Sequence, residues 1–383
     1  MQLSKAGEFT LLLAATLTIM VGAALAPGLE SIADALGVSR YAPLLITLPA
    51  LGAVLFAPLF GLWIDRLGAR KVLLMSLLGY FVLGAGGAVL HGPVVVAIDR
   101  ILLGGFAAGI MASGTAEISQ WYTGKARLGM IAKQGMSIEL GGVIFLLIGG
   151  LLGERTWQGP FALYFLGAIC FVMVLLFIPK RKSINSHDDH VIPKETATIR
   201  PILICTFFAM SLFFSMIVTL PGLMTQRLFS ESQIGYLLSF ISLVAVMAAM
   251  VMPKVIAKTS ERTTLILAFV CYAIALFLFA SNTITAMLVL AAVFAGSGFG
   301  LSIPLLNHST VENSTEQNRG YNLSLFAIAV FSGQFATSIL DFLPLPHHMT
   351  LLVCAAIAIL CALILCFKQR RNVKLNGSLT GGV

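Results

Sequence analysis

Few residues in this chain could do chemistry, and their apolar surroundings make them conspicuous. Asp99 and Arg100 lie just inside an apolar run that opens at His91-Gly92-Pro93 and continues as Ile101-Leu102-Leu103-Gly104-Gly105. An arginine within a membrane span costs at least ~2.5–3.5 kcal/mol on insertion scales, so it needs a cavity or a partner. Neighbouring helical residues are about 100° apart, so the two cannot both point squarely at one cavity. They serve proton exchange, pair with each other structurally, or snorkel to the outer interface. Glu139 sits a third to halfway along another apolar run, with no basic residue near it on its own helix. Such a carboxyl can carry a proton or bond a neighbouring helix as a neutral acid. Glu30 and Asp34 close the first run, and Glu30 is a candidate cavity acid. Gln334 is a candidate polar cavity residue.

Other chemistry is poorly represented. No metal motif, nucleophile elbow or phosphate loop stands in a suitable context, so neither an enzyme nor a cofactor is expected. His187-Asp188-Asp189-His190 resembles a ligand cluster, but it falls in a hydrophilic linker without rigid geometry to select a metal. A solvated linker and no metal are expected there. Cys170, Cys205, Cys271, Cys354, Cys361 and Cys366 all fall in apolar runs and read as small buried hydrophobes.

The elements that must position these residues follow from composition. Of 383 residues, 58% are hydrophobic and 10% charged, where soluble domains carry about 25% charged residues. The bilayer is the natural solvent for such a chain, and it admits only helices or closed barrels. The apolar runs are unbroken over roughly 20 residues, the length a helix needs to cross about 30 Å of hydrocarbon. Twelve spans are predicted, near 8–30, 42–62, 71–90, 94–118, 129–152, 158–178, 201–223, 232–253, 263–281, 284–307, 321–342 and 349–367. Lys5 followed by a run ending in Ala23-Ala24-Leu25-Ala26 has the look of a cleavable leader. A retained span is expected instead, because apolar segments simply continue.

The net charge of +8 is a topology signal rather than a nucleic-acid footprint. With both termini on one side, that side holds Lys5, Arg66, Arg70, Lys71, Arg127, Lys180, Arg181, Lys182, Lys258, Arg262 and Arg319, among others. The opposite side holds only Arg40, Arg155 and Arg227. The positive-inside rule then places both termini in the cytoplasm. An integral protein of a bacterial inner membrane is expected, with the lipid bilayer as partner and no nucleic acid.

The chain also repeats itself. A shift of 192 residues places Arg66 on Lys258, Arg70 on Arg262, Gly104 on Gly296 and Arg127 on Arg319. Pro27-Gly28-Leu29 meets Pro221-Gly222-Leu223 at a slightly larger shift. Parallel repeats are a transporter architecture, with the binding site between the halves near midplane. The expected organisation is a six-span bundle over 1–178, a cytoplasmic linker over 179–200, and a second bundle with a short cytoplasmic tail over 201–383.

The loop between the second and third spans reads Gly61-Leu62-Trp63-Ile64-Asp65-Arg66-Leu67-Gly68-Ala69-Arg70-Lys71. Gly61 lets another helix approach, Gly68 allows a tight turn, and Arg70 can fork onto a carboxylate. This loop closely resembles the signature of the major facilitator superfamily, and span number, linker and halves extend the resemblance over nearly the whole chain. It implies an all-α membrane protein of twelve transmembrane helices in two pseudo-symmetric six-helix bundles. It implies that Gly61, Asp65, Arg66, Gly68, Arg70 and Lys71 form a cytoplasmic gating motif, for which Glu117 is the one acid at the matching end of span 4. Arg100 followed by Gly104-Gly105 resembles the family's fourth-helix motif, whose arginine is linked to proton coupling.

The branch most resembled is the twelve-helix drug/proton antiporters and sugar-efflux-like exporters. The resemblance thus implies a monomeric secondary transporter that exports a small organic solute against protons by alternating access. The Gly-Pro expected in span 5 of that branch is missing, since Gly141 is followed four residues later by Phe145-Leu146 and then by Gly149-Gly150. An importer or uniporter of a small metabolite therefore stays open, as does a non-transporting sensor. Span 10 carries Gly296, Gly298 and Gly300, then Pro304, Asn307 and His308. The Phe and Met side chains, 26 and 15 of them, suit an adaptable cavity and a lipid-facing surface equally.

Overall fold

The computed structural model describes residues 3–180, 199–281, 284–314, 319–341 and 345–380. The cluster from His187 to His190 lies outside the described residues. Helices α1 (Lys5–Ala23), α2 (Leu29–Ala35), α3 (Leu44–Leu67), α4 (Ala69–Gly86), α5 (Pro93–Trp121), α6 (Gly124–Gly153) and α7 (Phe165–Phe177) come from the first half of the sequence. Helices α8 (Arg200–Gln226), α9 (Glu231–Lys258), α10 (Glu261–Ser281), α11 (Thr285–Glu312), α12 (Arg319–Asp341) and α13 (His347–Thr380) come from the second. Among the described residues, twelve helices are long and apolar enough to cross a membrane.

Local chemistry explains where these helices begin and end. Ser4 Oγ accepts the Gly7 N–H at 3.1 Å and caps α1. The expected first span, 8–30, proves too long, because α1 ends at Ala23 and Gly28 caps the separate short helix α2. Pro27 ahead of Gly28 accounts for the break. In the matching region of α8, Pro221 stays inside a continuous helix. Gly68 alone turns the chain from α3 into α4, with φ at +87°, a conformation open to glycine and costly for other residues. Gly92, at φ +91°, and Pro93 start α5 in the same economical way.

The described residues fall into two compact units, Met1–Val191 with Pro221–Ser242, and Ile192–Leu220 with Leu243–Val383. In the first unit, α3 and α5 meet backbone to backbone. A β-carbon on Gly52 would lie 1.9 Å from the Ile101 carbonyl oxygen, and one on Gly104 would lie 1.9 Å from that of Pro49. In the second unit, Gly300 of α11 stands in the same relation to Ala245 of α9, at 2.2 Å. Small residues hold helices together where lipid removes the hydrophobic drive between them.

The repeat recurs in side-chain contacts. Arg70 Nε donates to the Ile178 carbonyl at 2.6 Å, and Arg262 Nε donates to the Leu365 carbonyl at 3.1 Å. Each arginine thus bonds carbonyls of the sixth span of its own half. Tyr80 and Tyr272, also 192 positions apart, are both fully buried. Large apolar side chains such as Phe9, Leu55, Ile98, Met250, Phe277 and Leu360 are more than half exposed, a surface that suits acyl chains rather than water.

Candidate functional site

Asp99 and Arg100 are 6% and 2% exposed and bind each other. Arg100 Nε and Nη2 both donate to Asp99 Oδ2, at 2.9 and 2.5 Å. Arg100 Nη1 reaches Tyr164 Oη at 3.4 Å, and the Tyr164 hydroxyl donates to the Val21 carbonyl of α1 at 3.0 Å. The guanidinium carbon lies 5.8 Å from the ring centroids of both Phe161 and Tyr164. A β-carbon on Gly87 would come within 2.3 Å of Arg100 Nη2. Of the three readings the sequence allowed, this geometry matches the structural ion pair. The charge is matched and boxed in among helices of the first unit, as a buried ion in lipid requires.

Glu139 is placed differently. It is half-buried on α6, and no hydrogen-bond or ion-pair partner meets it among the described residues. The face of α6 that carries it is covered further along by the first turns of α9. Ser239 Oγ donates to the Val143 carbonyl at 3.0 Å, and Ser242 Oγ lies 4.0 Å from the β-position of Gly142. Residues three and four apart share a helix face, so Glu139 stands one turn beyond the last of these contacts. Gln134, five residues nearer the start of α6, is buried and accepts from Thr115 Oγ1 at 3.2 Å. The sequence reading passed over Gln134 because amides draw less notice than charges.

Gln334 is half-buried on α12, beside Gly333, whose carbonyl accepts from Ser211 Oγ at 3.0 Å. Glu30 is half-buried on α2. Asn307 and His308 are exposed on α11. Among the described residues, no three His, Cys, Asp or Glu side chains gather as a metal site.

The loop between α3 and α4 departs from expectation in two ways. Among the described residues, Arg70 forks onto no carboxylate. It bonds the carbonyls that close α7, with Nη2 reaching Val174 and Leu175 at 3.4 and 3.3 Å besides the bond to Ile178. A cation suits the negative end of a helix dipole. Nor, among the described residues, does anything lie within 4 Å of a β-carbon built on Gly61. Asp65, Arg66 and Lys71 are exposed, and Gly68 makes the turn assigned to it. Glu117 is buried in α5 and accepts from Trp121 Nε1 at 3.1 Å. Nearby, the Tyr122 hydroxyl donates to Glu8 Oε1 at 2.6 Å and ties the end of α5 to the start of α1.

Comparison with known proteins agrees with this architecture. The family model described as Major Facilitator Superfamily matches residues 11–338, and matches again over 202–381. The chain is similar to the class B tetracycline resistance protein of Escherichia coli, with 28% identity over 294 residues, covering 72% of this chain and 70% of the relative. It is similar to Multidrug resistance protein 2 of Bacillus subtilis (strain 168), with 26% identity over 293 residues, covering 71% and 72%. Among solved structures it resembles the nucleoside transporter NupG, with a TM-score of 0.76 and 12% identity, covering 94% of this chain and 98% of that one. Identity that low speaks for the fold alone.

Proposed function

The chain belongs to the Major Facilitator Superfamily, and on that premise we propose that it exports a small organic solute in exchange for protons. Glu139 is the proton carrier in this reading. The observation that carries it is a carboxyl within a span, half-buried and without a hydrogen-bond partner among the described residues, one turn from the contacts that Gly142 and Val143 make with the start of α9. Asp99 is poorly suited to that role because Arg100 holds its carboxylate. Arg100 acts by fixing the bundle that presents the cavity. Gln334 and Glu30 are proposed cavity-lining groups. The tetracycline and multidrug resistance proteins among the relatives support a drug-like substrate and outward transport.

Gly61, Asp65, Arg66, Gly68, Arg70, Lys71 and Glu117 are proposed to gate the cytoplasmic side. A monomer in a bacterial inner membrane, with both termini cytoplasmic, completes the reading. The test is Glu139→Gln in proteoliposomes. Removing the titrating group is expected to abolish pH-driven accumulation of a transported drug while leaving exchange of labelled for unlabelled drug intact. Undiminished accumulation in this variant would refute the assignment of Glu139.

A second reading is import or facilitated movement of a metabolite. The missing Gly-Pro in α6 favours it, since Gly141 is followed four residues later by Phe145-Leu146. It predicts equilibration, or accumulation on the alkaline side of the membrane.

A further inference from the structure

The sequence repeat puts α9 in the second half of the chain, yet its first turns pack as part of the first unit, which includes Pro221–Ser242. The contacts that hold them there are small and polar. Ser232 Oγ donates to Glu154 Oε2 at the end of α6, and Ser31 Oγ of α2 donates to Glu231 Oε1. A β-carbon on Gly150 would lie 2.7 Å from the Glu231 carbonyl oxygen, and one on Gly235 would lie 2.8 Å from that of Leu146. The other oxygen of the Glu231 carboxyl enters a notch made by two glycines. A β-carbon on Gly28 would sit 2.5 Å from Oε2, and one on Gly153 would sit 2.1 Å from it. That oxygen is buried without a hydrogen-bond partner among the described residues.

The backbone that carries Glu231 is fixed at the start of α9. The Ser230 N–H donates to Gln233 Oε1 at 2.9 Å, and the Gln233 N–H donates to Ser230 Oγ at 3.3 Å. This reciprocal pair is a capping box that fixes the start of α9. Movement of that end of α9 therefore carries the Glu231 carboxyl out of the notch. These contacts are hydrogen bonds and glycine surfaces, which can part and re-form without repacking large side chains. Arg155 and Arg227 lie at this end, which with Arg40 holds only three basic residues and is the outer side under the positive-inside rule.

We propose that Glu231 is the latch of the outer side, its carboxyl seated against Gly28, Ser31 and Gly153 whenever α9 closes on α2 and α6. The assignment rests on the alternating-access reading above. Glu231 is a positioning residue in this scheme and does not touch solute. The notch is shaped to the carboxyl, so a methyl group on either glycine would keep it out.

The latch is tested with the full chain in a cysteine-free background carrying one reporter cysteine. An outer reporter is Ser242→Cys, at a position 9% exposed beyond the latch. A cytoplasmic reporter is Met136→Cys, at a position 57% exposed on α6. A membrane-impermeant maleimide is applied from the outer side of cells or from the cytoplasmic side of inverted vesicles. Gly153→Ala, Gly28→Ala and Glu231→Ala are expected to raise the outer labelling rate several-fold and to lower the cytoplasmic rate. Glu231→Gln keeps the shape and the acceptor for Ser31 and is expected to label like the parent. Rates unchanged in all three disruptive variants, or raised at both reporters as general loosening would do, would overturn the latch. If the parent moved no solute while the reciprocal shift persisted, the transport reading would fail and the latch would stand.

Discussion

Two carboxyls within the spans, Asp99 and Glu139, have opposite surroundings, and the difference sets what each can do. Asp99 is locked to Arg100, and the pair is walled by Tyr164, Phe161 and Gly87. Breaking a buried pair from one side strands a charge, at a cost of about 3–5 kcal/mol. Arg100→Ala is therefore expected to lower thermal stability in detergent sharply, and the double replacement of Asp99 and Arg100 by leucine to lower it less. Thermal unfolding followed by size-exclusion chromatography reads this out. If Arg100→Ala keeps the parent's thermal stability but loses proton coupling, the structural role is wrong. Both carboxyls were legible in the sequence as charges inside apolar runs. The groups that wall in the Asp99–Arg100 pair were not, because Tyr164 and Phe161 come from a segment some sixty residues away. Glu231 was missed for a related reason. An acid in the first turn of a capped helix reads as a favourable end charge, and nothing nearby in sequence reveals the notch formed by Gly28 and Gly153.

Helix contacts in the first unit turn on glycines whose use depends on what faces them. Gly104→Ala would drive a methyl group into the Pro49 carbonyl, 1.9 Å from the new β-carbon, and Gly52→Ala would do the same at Ile101. Either change is expected to reduce the yield of folded protein in the membrane several-fold. Gly61→Ala meets nothing within 4 Å and is expected to leave yield unchanged, so equal losses at Gly61 and Gly104 would contradict this packing. Span positions were legible because roughly 20 apolar residues are needed to cross the bilayer. The exception is α1, which stops at Ala23 where 8–30 was expected. The break at Pro27-Gly28 carries a recognisable turn signal, but apolar residues on both sides hid it. For Arg70, the motif gave the residue and the 192-residue repeat gave its counterpart Arg262. Its partner, the end of α7, became apparent only in three dimensions.

Across the whole molecule, the repeat and the packing divide the chain differently. The repeat cuts it once, near the linker, whereas the packing assigns Pro221–Ser242 to the first unit. A transporter that alternates must exchange such contacts, and sequence symmetry cannot show which partner a helix end holds. The family was legible from span count, repeat and the loop from Gly61 to Lys71, because these follow from local residues. The direction of transport was not, since it depends on how proton and solute sites are coupled. The central claim is exchange of solute for protons. The direct measurement is the distribution of a tetracycline or another drug-like probe across proteoliposomes under an imposed pH gradient and zero membrane potential. Exchange of one proton for one neutral solute would sustain accumulation on the acidic side, about tenfold per pH unit. Accumulation on the alkaline side, or equilibration whatever the gradient, would contradict the account.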